Sequence, residues 1–489
     1  MRFVVVAAGF DGTLARDGRC DPRSIVALRA LAASGRKLVL VTSRELRDLL
    51  DVFPDARIFD YLVAENGAVV HRPAARESAI LAQAPPETLI HELRRRQVAP
   101  LGVGSAVLTT AKEHREIVVD AIRKLRLDCH VLQNDRALAV LPTGVNKASG
   151  VSAVLEELQL SPHNLVAIGD AENDLDLFAL AEHCVAVGNA APALKDVADR
   201  IARASYGEGF VEFARELLET DLDGAPVRRK IVLGVHAAHP VTLLPGRGSV
   251  LIGGPQASGK TELCNSIVSQ YLAQGYQCCI FGAYRTGTQE RTEPYVTLGD
   301  AEVCPRAVDV LAALEKPQQS VVINVAAVPT GTRASFIERL LFELAGVQKT
   351  CGRPHVIVFD QADSLVANVN VRVLQRLHAS MRIYLTSQPW NLHRDVLGMM
   401  QVIVALGDAA MTLNCFRALD ADAPVLTDHL PLEPRQGLLW LRDSGMPPLR
   451  MQLDQRETSS RMIAQDADAS ATTMRPRSSR IENDEATIP

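Results

Sequence analysis

The sequence predicts an α/β protein with two doubly wound parallel-sheet domains. Two series of short apolar runs, at residues 3–168 and 249–406, alternate with segments whose apolar residues have helical spacing. Polar residues directly follow several of these runs, as they do at the carboxyl ends of strands in a parallel sheet. We therefore expect two sheets covered by helices, each with a binding site along the edge where its strands end.

The domain boundaries follow from changes in composition. Residues 1–218 and 231–453 carry the two series of strands and are predicted to be separate domains. Residues 219–230 mix charge, Gly and Pro without an apolar period, which is typical of a linker. The periodicity fades after Leu441, and residues 454–489 contain few large apolar side chains. We expect this last segment to be a disordered tail.

Composition restricts the class of protein. The chain is 47% hydrophobic and 22% charged, as in soluble globular proteins. Its formal net charge of −5 would repel nucleic acid, so the composition argues against a nucleic-acid partner. The sequence lacks a run of about 18 apolar residues that could form a membrane helix. The nine cysteines include no C-x-x-C pair. We expect reduced thiols, a cytoplasmic location and no membrane contact.

Polar residues follow three predicted strands of the first domain. Asp11 comes after the run at residues 3–8, Thr42 follows residues 37–41, and Asp170 follows residues 164–169. Because parallel strands end at one edge of their sheet, these three residues are expected to share a site. Asp11 and Thr13 could instead cap a turn, and Lys147 could be a solvated loop lysine.

The motifs FDGTL, VTSR, ENGAVV, GVNKASG and GDAENDLDLF occur in this order within residues 1 to about 215. In this respect the first domain resembles the haloacid dehalogenase (HAD) superfamily. It is most similar to the sugar-phosphate phosphatase subgroup, which includes the sucrose-phosphatase and Cof-type enzymes. The resemblance implies a small α/β cap inserted at roughly residues 72–140. It also implies a phosphorylated small molecule, such as a sugar phosphate, as the ligand.

The resemblance assigns a role to each matching residue. Asp11 corresponds to the general acid/base, Thr42 to the phosphate-binding hydroxyl, and Lys147 to the cation that steadies the phosphoryl group. Asp170 and Asp174 correspond to the carboxylates that hold Mg²⁺. A metal ion and a lysine are what a trianionic phosphoryl transition state requires for neutralisation.

One position departs from the family pattern. The pattern D-x-D-G-T begins with the Asp that forms an aspartyl-phosphate, and this chain has Gly9 there. Glycine offers neither a nucleophile nor a metal ligand, so covalent catalysis by that route is excluded. The expected outcomes are binding of a phosphate ligand without turnover, or slow hydrolysis by directly activated water.

The segment GGPQASGKT at residues 253–261 lies between an apolar run and a segment with helical spacing. It matches G-x-x-x-x-G-K-T, the loop that cradles nucleotide phosphates with backbone N–H groups. In such a loop the lysine neutralises the terminal phosphate oxygens and the threonine hydroxyl ligates Mg²⁺. We predict an ATP site here with nucleotide-binding residues Gly254, Ser258, Gly259, Lys260 and Thr261; the alternative is a chance glycine-rich turn.

A second element of this site is predicted about a hundred residues later. Asp360 follows the apolar run at residues 356–359, where a carboxylate can hold the Mg²⁺ shared with Thr261. The motifs GGPQASGKTEL, RASFIERLLFEL, GRPHVIVFDQAD and YLTSQP resemble HerA/FtsK-like P-loop ATPases. That resemblance implies that Ser387 and Gln388 lie at the end of the strand beside Asp360, where such ATPases keep a polar residue that senses the γ-phosphate, and it makes Gln388 a nucleotide-binding candidate.

This half also departs from its pattern. Gln361 stands where these ATPases have the Glu that orients the attacking water, and the segment FGAYRTG at residues 281–287 replaces an expected acidic stretch. An amide can hold a water molecule but cannot accept its proton, and losing a general base typically costs ~10²–10⁴ in rate. Nucleotide binding is therefore better supported than hydrolysis, with Gln361 as a residual catalytic residue.

Three functions are compatible with these features. The first is a regulator that binds a phosphorylated ligand in one domain and ATP·Mg²⁺ in the other. A homo-oligomer is compatible with this function. The second is an active Mg²⁺-dependent sugar-phosphate phosphatase regulated by ATP. The third is a HerA-like motor on nucleic acid, which only analogy of fold supports.

Overall fold

The computed structural model describes residues 1–133, 137–223, 228–246, 248–284, 295–420, 423–424 and 431–453. The chain divides into two compact units, Met1–Arg228 and Arg229–Pro489. The predicted tail at residues 454–489 lies outside the described residues, as does the Gly-Ala-Pro-Val segment of the predicted linker at residues 224–227. No helix in the described ranges is long and apolar enough to cross a membrane.

The first unit contains fourteen strands in its described residues: β1 Val5–Gly9, β2 Ala15–Arg16, β3 Arg19–Cys20, β4 Lys37–Val41, β5 Tyr61–Ala64, β6 Val69–Arg72, β7 Glu77–Ile80, β8 Leu101–Val103, β9 Leu108–Ala111, β10 Cys129–Gln133, β11 Ala137–Pro142, β12 Leu165–Gly169, β13 His183–Ala186 and β14 Arg200–Ile201. Its α-helices are α1 Pro22–Ala33, α2 Leu46–Val52, α3 Glu87–Arg95, α4 Arg115–Lys124, α5 Lys147–Glu157, α6 Leu175–Leu180, α7 Pro192–Val197 and α8 Tyr206–Thr220.

The main sheet of this unit has the order β14-β13-β12-β1-β4-β5-β6-β7. The pairs from β14 to β5 are parallel, and β6 and β7 are antiparallel additions at one edge. The predicted parallel α/β core is confirmed. The three strands that precede Asp11, Thr42 and Asp170 lie side by side as β1, β4 and β12, so their carboxyl ends share one edge.

A separate antiparallel sheet of four strands, β10-β11-β9-β8, lies with α3 and α4 in the region predicted to be the cap. Its own core includes Leu89, Leu93, Val118 and Leu138. The inserted sheet begins later than residue 72, because β7 still pairs with β6 in the main sheet, with Ile80 opposite Val69.

The second unit contains eleven strands in its described residues: β15 Ile231–His236, β16 His239–Leu243, β17 Gly248–Gly253, β18 Cys278–Gly282, β19 Tyr295–Leu298, β20 Ser320–Asn324, β21 Val356–Phe359, β22 Met381–Thr386, β23 Val402–Leu406, β24 Gln436–Leu441 and β25 Leu449–Leu453. Its α-helices are α9 Lys260–Ala273, α10 Ala307–Leu314, α11 Thr330–Cys351, α12 Ala362–Leu365, α13 Val371–Gln375, α14 Arg394–Gly398 and α15 Ala409–Leu413.

These strands form one mixed sheet in the order β16-β15-β25-β24-β23-β17-β22-β21-β18-β20-β19. The strands from β23 to β19 are parallel, whereas β24, β25, β15 and β16 add antiparallel pairs at the other side. The prediction of a wholly parallel sheet is therefore incomplete. Cys278 and Cys279 pack into different apolar clusters on opposite faces of the sheet, as their adjacency in β18 requires.

Candidate functional site

The first unit gathers its polar residues at the carboxyl ends of β12, β1 and β4. Gly9 is the last residue of β1. A Cβ added there would lie 2.7 Å from Thr13 Oγ1, so the threonine side chain occupies the space next to the missing carboxylate. The Thr13 hydroxyl in turn donates a hydrogen bond of 2.8 Å to Asp170 Oδ1. Thr13 thus fills the space beside Gly9, and position 9 itself contributes no nucleophile to this edge.

Asp11 is held by an arginine that the sequence motifs did not single out for this role. Arg44 Nε and Nη2 donate to the two Asp11 carboxylate oxygens at 2.6 and 2.9 Å, and Arg44 Nη1 donates to Asp48. A bidentate guanidinium–carboxylate pair is among the stronger polar contacts in proteins. Arg44 must therefore release Asp11 before that carboxylate can exchange a proton with a bound ligand. Alternatively, Arg44 stays in place and contacts the phosphate.

Thr42 lies buried at the end of β4, with 3% of its surface exposed. Its hydroxyl oxygen accepts a hydrogen bond of 3.1 Å from the backbone N–H of Arg44. The threonine hydroxyl proton remains available as a donor to an anion at this edge, consistent with the predicted phosphate-binding role.

Lys147 opens α5, where Asn146 forms a capping box with Ser149. The lysine Nζ donates to Asp174 at 2.6 Å and to Asn173 at 2.9 Å, and both charged side chains are buried. Asp174 also accepts the backbone N–H groups of Asp170 and Ala171. Asp174 is therefore already neutralised by a cation and fixed by two amides. It acts as the partner of Lys147 in this arrangement.

Asp170 is the remaining carboxylate at this edge. Burial, followed by the negative charge of Asp174, raises the pKa of Asp170 to about 6, and the Thr13 hydrogen bond opposes that shift. The part of the chain that the structure describes contains no group of three His, Cys, Asp or Glu side chains suited to a metal. Mg²⁺ is usually held by one or two carboxylates, water and substrate phosphate. The residues present fit that pattern only with Asp170 as the main protein ligand.

The inserted sheet contacts this edge through a buried carboxylate. Glu65 has 2% of its surface exposed and accepts backbone N–H groups of Ser105 and Ala106 at 3.1 and 3.0 Å. These two residues lie in the connection between β8 and β9. A side chain of the main core thus holds the nearest loop of the inserted sheet.

In the second unit two glycines shape the loop between β17 and α9. A Cβ at Gly254 would lie 2.3 Å from the Leu406 carbonyl oxygen, so only glycine permits this close approach. Gly259 has φ +92° as the N-cap of α9, a conformation that favours glycine. Lys260 Nζ donates to the carbonyl oxygens of Gly254 and Pro255 at 2.8 and 2.6 Å.

A cavity of about 540 Å³ lies against this loop. That volume is within the range of small-molecule and cofactor sites, which is roughly 300–1,000 Å³. Burial lowers the pKa of Lys260, and the charges of Asp360 and Asp363 oppose that shift. The cavity is lined by Gln256, Ala257, Lys260, Thr261, Tyr284, Thr297, Val322, Asp360, Gln361, Asp363, Leu385, Thr386 and Ser387.

The predicted metal residues of the second unit meet in this cavity. Asp360 follows β21 and Thr261 is the second residue of α9, so a carboxylate and a hydroxyl face one space. Hard oxygen donors of this kind suit Mg²⁺ together with phosphate and water. The Tyr284 hydroxyl donates to Asp360 Oδ2 at 2.9 Å, and its backbone is tied to Asn324 at the end of β20.

The remaining predicted nucleotide residues have different positions. Gln361 and Ser387 line the cavity. Gln388 is exposed, is not among the lining residues, and accepts a hydrogen bond from Asn391. Ser258 is packed behind the loop, where its Oγ atom is buried without a hydrogen-bond partner in the described residues. Gln388 and Ser258 therefore have a weaker claim to ligand contact than Lys260 and Thr261.

Sequence reasoning missed three polar residues of the cavity. Tyr284 enters it from the end of β18, Asp363 from α12 and Thr386 from the end of β22. The motifs FGAYRTG, FDQAD and YLTSQP contained all three, and the position of Thr386 at a strand end was a usable signal. Their convergence depends on the strand order, in which β22 lies between β17 and β21.

The first unit is an α/β core whose strand ends assemble a buried lysine, acidic residues and a threonine, as in enzymes that act on phosphate esters. Through residues 6–97 and 103–213 the chain belongs to the haloacid dehalogenase-like hydrolase family. The predicted resemblance of the first domain to the HAD superfamily is confirmed.

Known relatives align with the same part of the chain. The phosphoglycolate phosphatase of Haloarcula marismortui is 34% identical over 212 residues, which cover 41% of this chain and 92% of that protein. The phosphoglycolate phosphatase of Methanothermobacter thermautotrophicus is 30% identical over 223 residues, covering 44% and 98%. A haloacid dehalogenase-like hydrolase structure from Bacteroides thetaiotaomicron has 20% identity and a TM-score of 0.41, covering 44% and 99%.

Proposed function

We propose that this protein binds a small phosphomonoester in its first unit and ATP·Mg²⁺ in its second, and that it acts as a regulator with little or slow hydrolysis. The observation that carries the proposal is a shared substitution. Gly9 and Gln361 replace the carboxylates that would drive chemistry, while the residues that grip phosphate are retained in both units.

The first unit is proposed to bind its ligand through Thr42 and Lys147. A phosphate placed at the strand edge would accept a hydrogen bond from the Thr42 hydroxyl and would be neutralised by the Lys147 ammonium, and Asp170 would hold Mg²⁺ against it. The relatives' name points to phosphoglycolate, a small phosphorylated acid, as the first ligand to test. A sugar phosphate is the alternative that the motifs suggested.

The second unit is proposed to bind nucleotide phosphates on the loop before α9. Backbone N–H groups of the loop and the Lys260 ammonium would hold the β- and γ-phosphates, while Thr261 and Asp360 would hold Mg²⁺. Mg²⁺ supplies charge neutralisation at the phosphate oxygens. Lys260 is held by two neutral carbonyl groups, so a phosphate can replace them without separating an ion pair.

The test is calorimetric titration of the purified full chain with ATP·Mg²⁺ and, separately, with phosphoglycolate·Mg²⁺. We expect both ligands to bind, each without blocking the other, with phosphate release far below an ordinary turnover of about 1–10³ s⁻¹. Binding of neither ligand would reject the proposal. Turnover of phosphoglycolate at ordinary speed would reject the non-catalytic role of the first unit.

An active phosphatase regulated by ATP is the second candidate. The 34% identity to a phosphoglycolate phosphatase and the retention of Asp11 favour it. It requires water to attack phosphorus directly, because Gly9 cannot form a phosphoenzyme. A search for a covalent phosphate on the protein during turnover separates the two routes, and none is expected.

A further inference from the structure

Gln361 is poorly suited to activate water in the cavity of the second unit. Its side chain is an amide, which cannot accept a proton at neutral pH. It is the N-cap of the short helix α12, has φ +62°, and is exposed. If this site hydrolyses ATP at all, a different side chain has to receive the proton of the attacking water.

Among the described residues that line the cavity, Asp363 is the only carboxylate besides Asp360. It lies in α12 and is half-buried, and its charge acts on the Lys260 ammonium. Asp360 is already the residue proposed to hold Mg²⁺. Asp363 is therefore the carboxylate left for proton transfer.

A hydrogen-bond chain fixes the orientation of Asp363. The Thr386 hydroxyl donates to Asp363 Oδ1 at 2.6 Å, and the backbone N–H of Gln388 donates to the Thr386 hydroxyl oxygen at 2.9 Å. Thr386 is fully buried. The Thr386 hydroxyl has only one proton, and it donates that proton to the hydrogen bond with Asp363. Oδ1 therefore acts as an acceptor in this arrangement. None of the described residues donates to Oδ2, which leaves that oxygen for a water molecule.

We propose that Asp363 takes the role of the general base for ATP hydrolysis in this cavity, with Thr386 as its positioning residue. This inference rests on the proposed nucleotide-binding function of the second unit. It goes further in naming the group that retains hydrolysis after the substitution at position 361.

The proposed step is balanced as follows. The oxygen of one water molecule forms a bond to the γ-phosphorus of ATP while the bond from that phosphorus to the β–γ bridging oxygen breaks. The water proton passes to Asp363 Oδ2, and the electron pair of the broken bond stays on ADP. Asp363 then releases the proton to solvent, leaving ADP and inorganic phosphate.

The experiment compares Asp363→Asn with wild type in the full chain. Asparagine keeps an oxygen that can accept the Thr386 hydrogen bond but has no basic carboxylate. We expect kcat for ATP to fall by about 10²-fold or more, whereas the Kd of a non-hydrolysable ATP analogue changes by less than about threefold. Asp309→Asn, which alters a half-buried aspartate paired with Arg306, is the matched control and should change neither quantity.

A second variant tests the chemistry independently. Introducing Gln361→Glu into Asp363→Asn places a carboxylate at the neighbouring lining position, and we expect it to recover at least about tenfold of the lost kcat. The same Gln361→Glu change in the wild-type background should raise kcat by less than about threefold, because Asp363 already accepts the proton there. An equal gain in both backgrounds would show that the new carboxylate acts independently of Asp363 and would reject Asp363 as the base.

The outcomes separate the two proposals. If wild type does not bind the analogue, both are wrong. If wild type binds it but shows no turnover, or if Asp363→Asn retains its turnover, the role of Asp363 is wrong and nucleotide binding stands. A loss of analogue affinity equal to the loss of kcat/KM would also reject Asp363 as the base.

Discussion

The two units present their proposed phosphate-binding groups in different ways. In the first, side chains from separate strands meet at one edge, and their charges are already paired: Lys147 with Asp174, and Arg44 with Asp11. In the second, a continuous loop offers backbone groups, and Lys260 is bound only to neutral carbonyls in the described residues. An incoming anion must share Lys147 with the carboxylate of Asp174, whereas it can replace the carbonyl groups that bind Lys260. We therefore expect tighter anion binding in the second unit.

The largest expected effect comes from restoring a carboxylate to the first unit. Gly9→Asp should raise Mg²⁺-dependent phosphoglycolate hydrolysis by on the order of 10³-fold or more, because the missing nucleophile is returned to the strand edge that carries Asp170. Thr13 has to rotate, since its Oγ1 would lie 2.7 Å from the new Cβ. Phosphate release is the measurement.

Gly9→Asn is the matched control for that variant. It imposes the same steric demand on Thr13 but cannot form an aspartyl-phosphate, so it should stay as inactive as wild type. Equal activity of the two variants would show that space, and not a nucleophile, limits the first unit.

Charge removal from each lysine sharpens the contrast between the units. Lys260→Gln should weaken ATP·Mg²⁺ binding by about 10- to 100-fold, the loss expected for charge-assisted hydrogen bonds. Lys147→Gln is the reciprocal control: it should leave ATP affinity unchanged and weaken phosphoglycolate binding. Calorimetry on both variants with both ligands gives the four values. If Lys260→Gln binds ATP as tightly as wild type does, the proposal of a nucleotide site at this loop is wrong.

The raised pKa of Asp170 predicts a pH-dependent stability of the first unit. A carboxyl with a folded-state pKa of about 6, against about 3.9 unfolded, binds more protons in the folded state between these values. Its contribution to stability is full below about pH 4 and is lost as pH rises through 6. Asp170→Asn removes this loss. The free energy of unfolding of the variant relative to wild type should therefore rise by about 2 kcal/mol from pH 4 to pH 8.

Hydrogen exchange of peptides from β1 and β12 measures this effect locally. The two tryptophans, Trp390 and Trp440, both belong to the second unit, so their fluorescence does not report on the first. Asp176→Asn changes an exposed aspartate of α6 and should show no pH-dependent gain. A gain that is constant from pH 4 to 8 would contradict a titrating Asp170.

The smallest expected effect concerns Tyr284. Its hydroxyl donates to Asp360, so Mg²⁺ has to displace this hydrogen bond or share the carboxylate with it. Tyr284→Phe should raise the apparent Mg²⁺ affinity of the nucleotide complex by about two- to tenfold, the worth of one hydrogen bond. Titration of ATP binding against Mg²⁺ concentration checks this. Weaker Mg²⁺ binding would instead show that the hydroxyl positions Asp360.

Much of the fold could be read from local patterns. The strands at residues 356–359 and 402–406 coincide with their apolar runs, because buried parallel strands are continuously hydrophobic. β25 was missed because Leu449–Leu453 alternates buried and exposed residues over only five positions after a break in periodicity. Its partners, β15 and β24, are set by long-range pairing that no local window contains.

The sites divide in the same way. The loop before α9 and the acidic residues after β12 and β21 are contiguous motifs, so sequence reasoning could name them. The Arg44–Asp11 pair and the Thr386–Asp363 hydrogen bond join residues 33 and 23 positions apart. Side chains meet there only because particular strands are neighbours, which the order of the strands decides and the motifs do not state.

The position of β25 has a consequence for the order in which the second unit can assemble. The hairpin of β15 and β16 joins the rest of the sheet through β25, which pairs with β15 on one side and β24 on the other. During synthesis, the hairpin of β15 and β16 can therefore join the rest of the sheet only after β25 has been made. A version shortened before Leu449 should expose two unpaired strand edges and self-associate, even though every described residue that lines the cavity of this unit is still present.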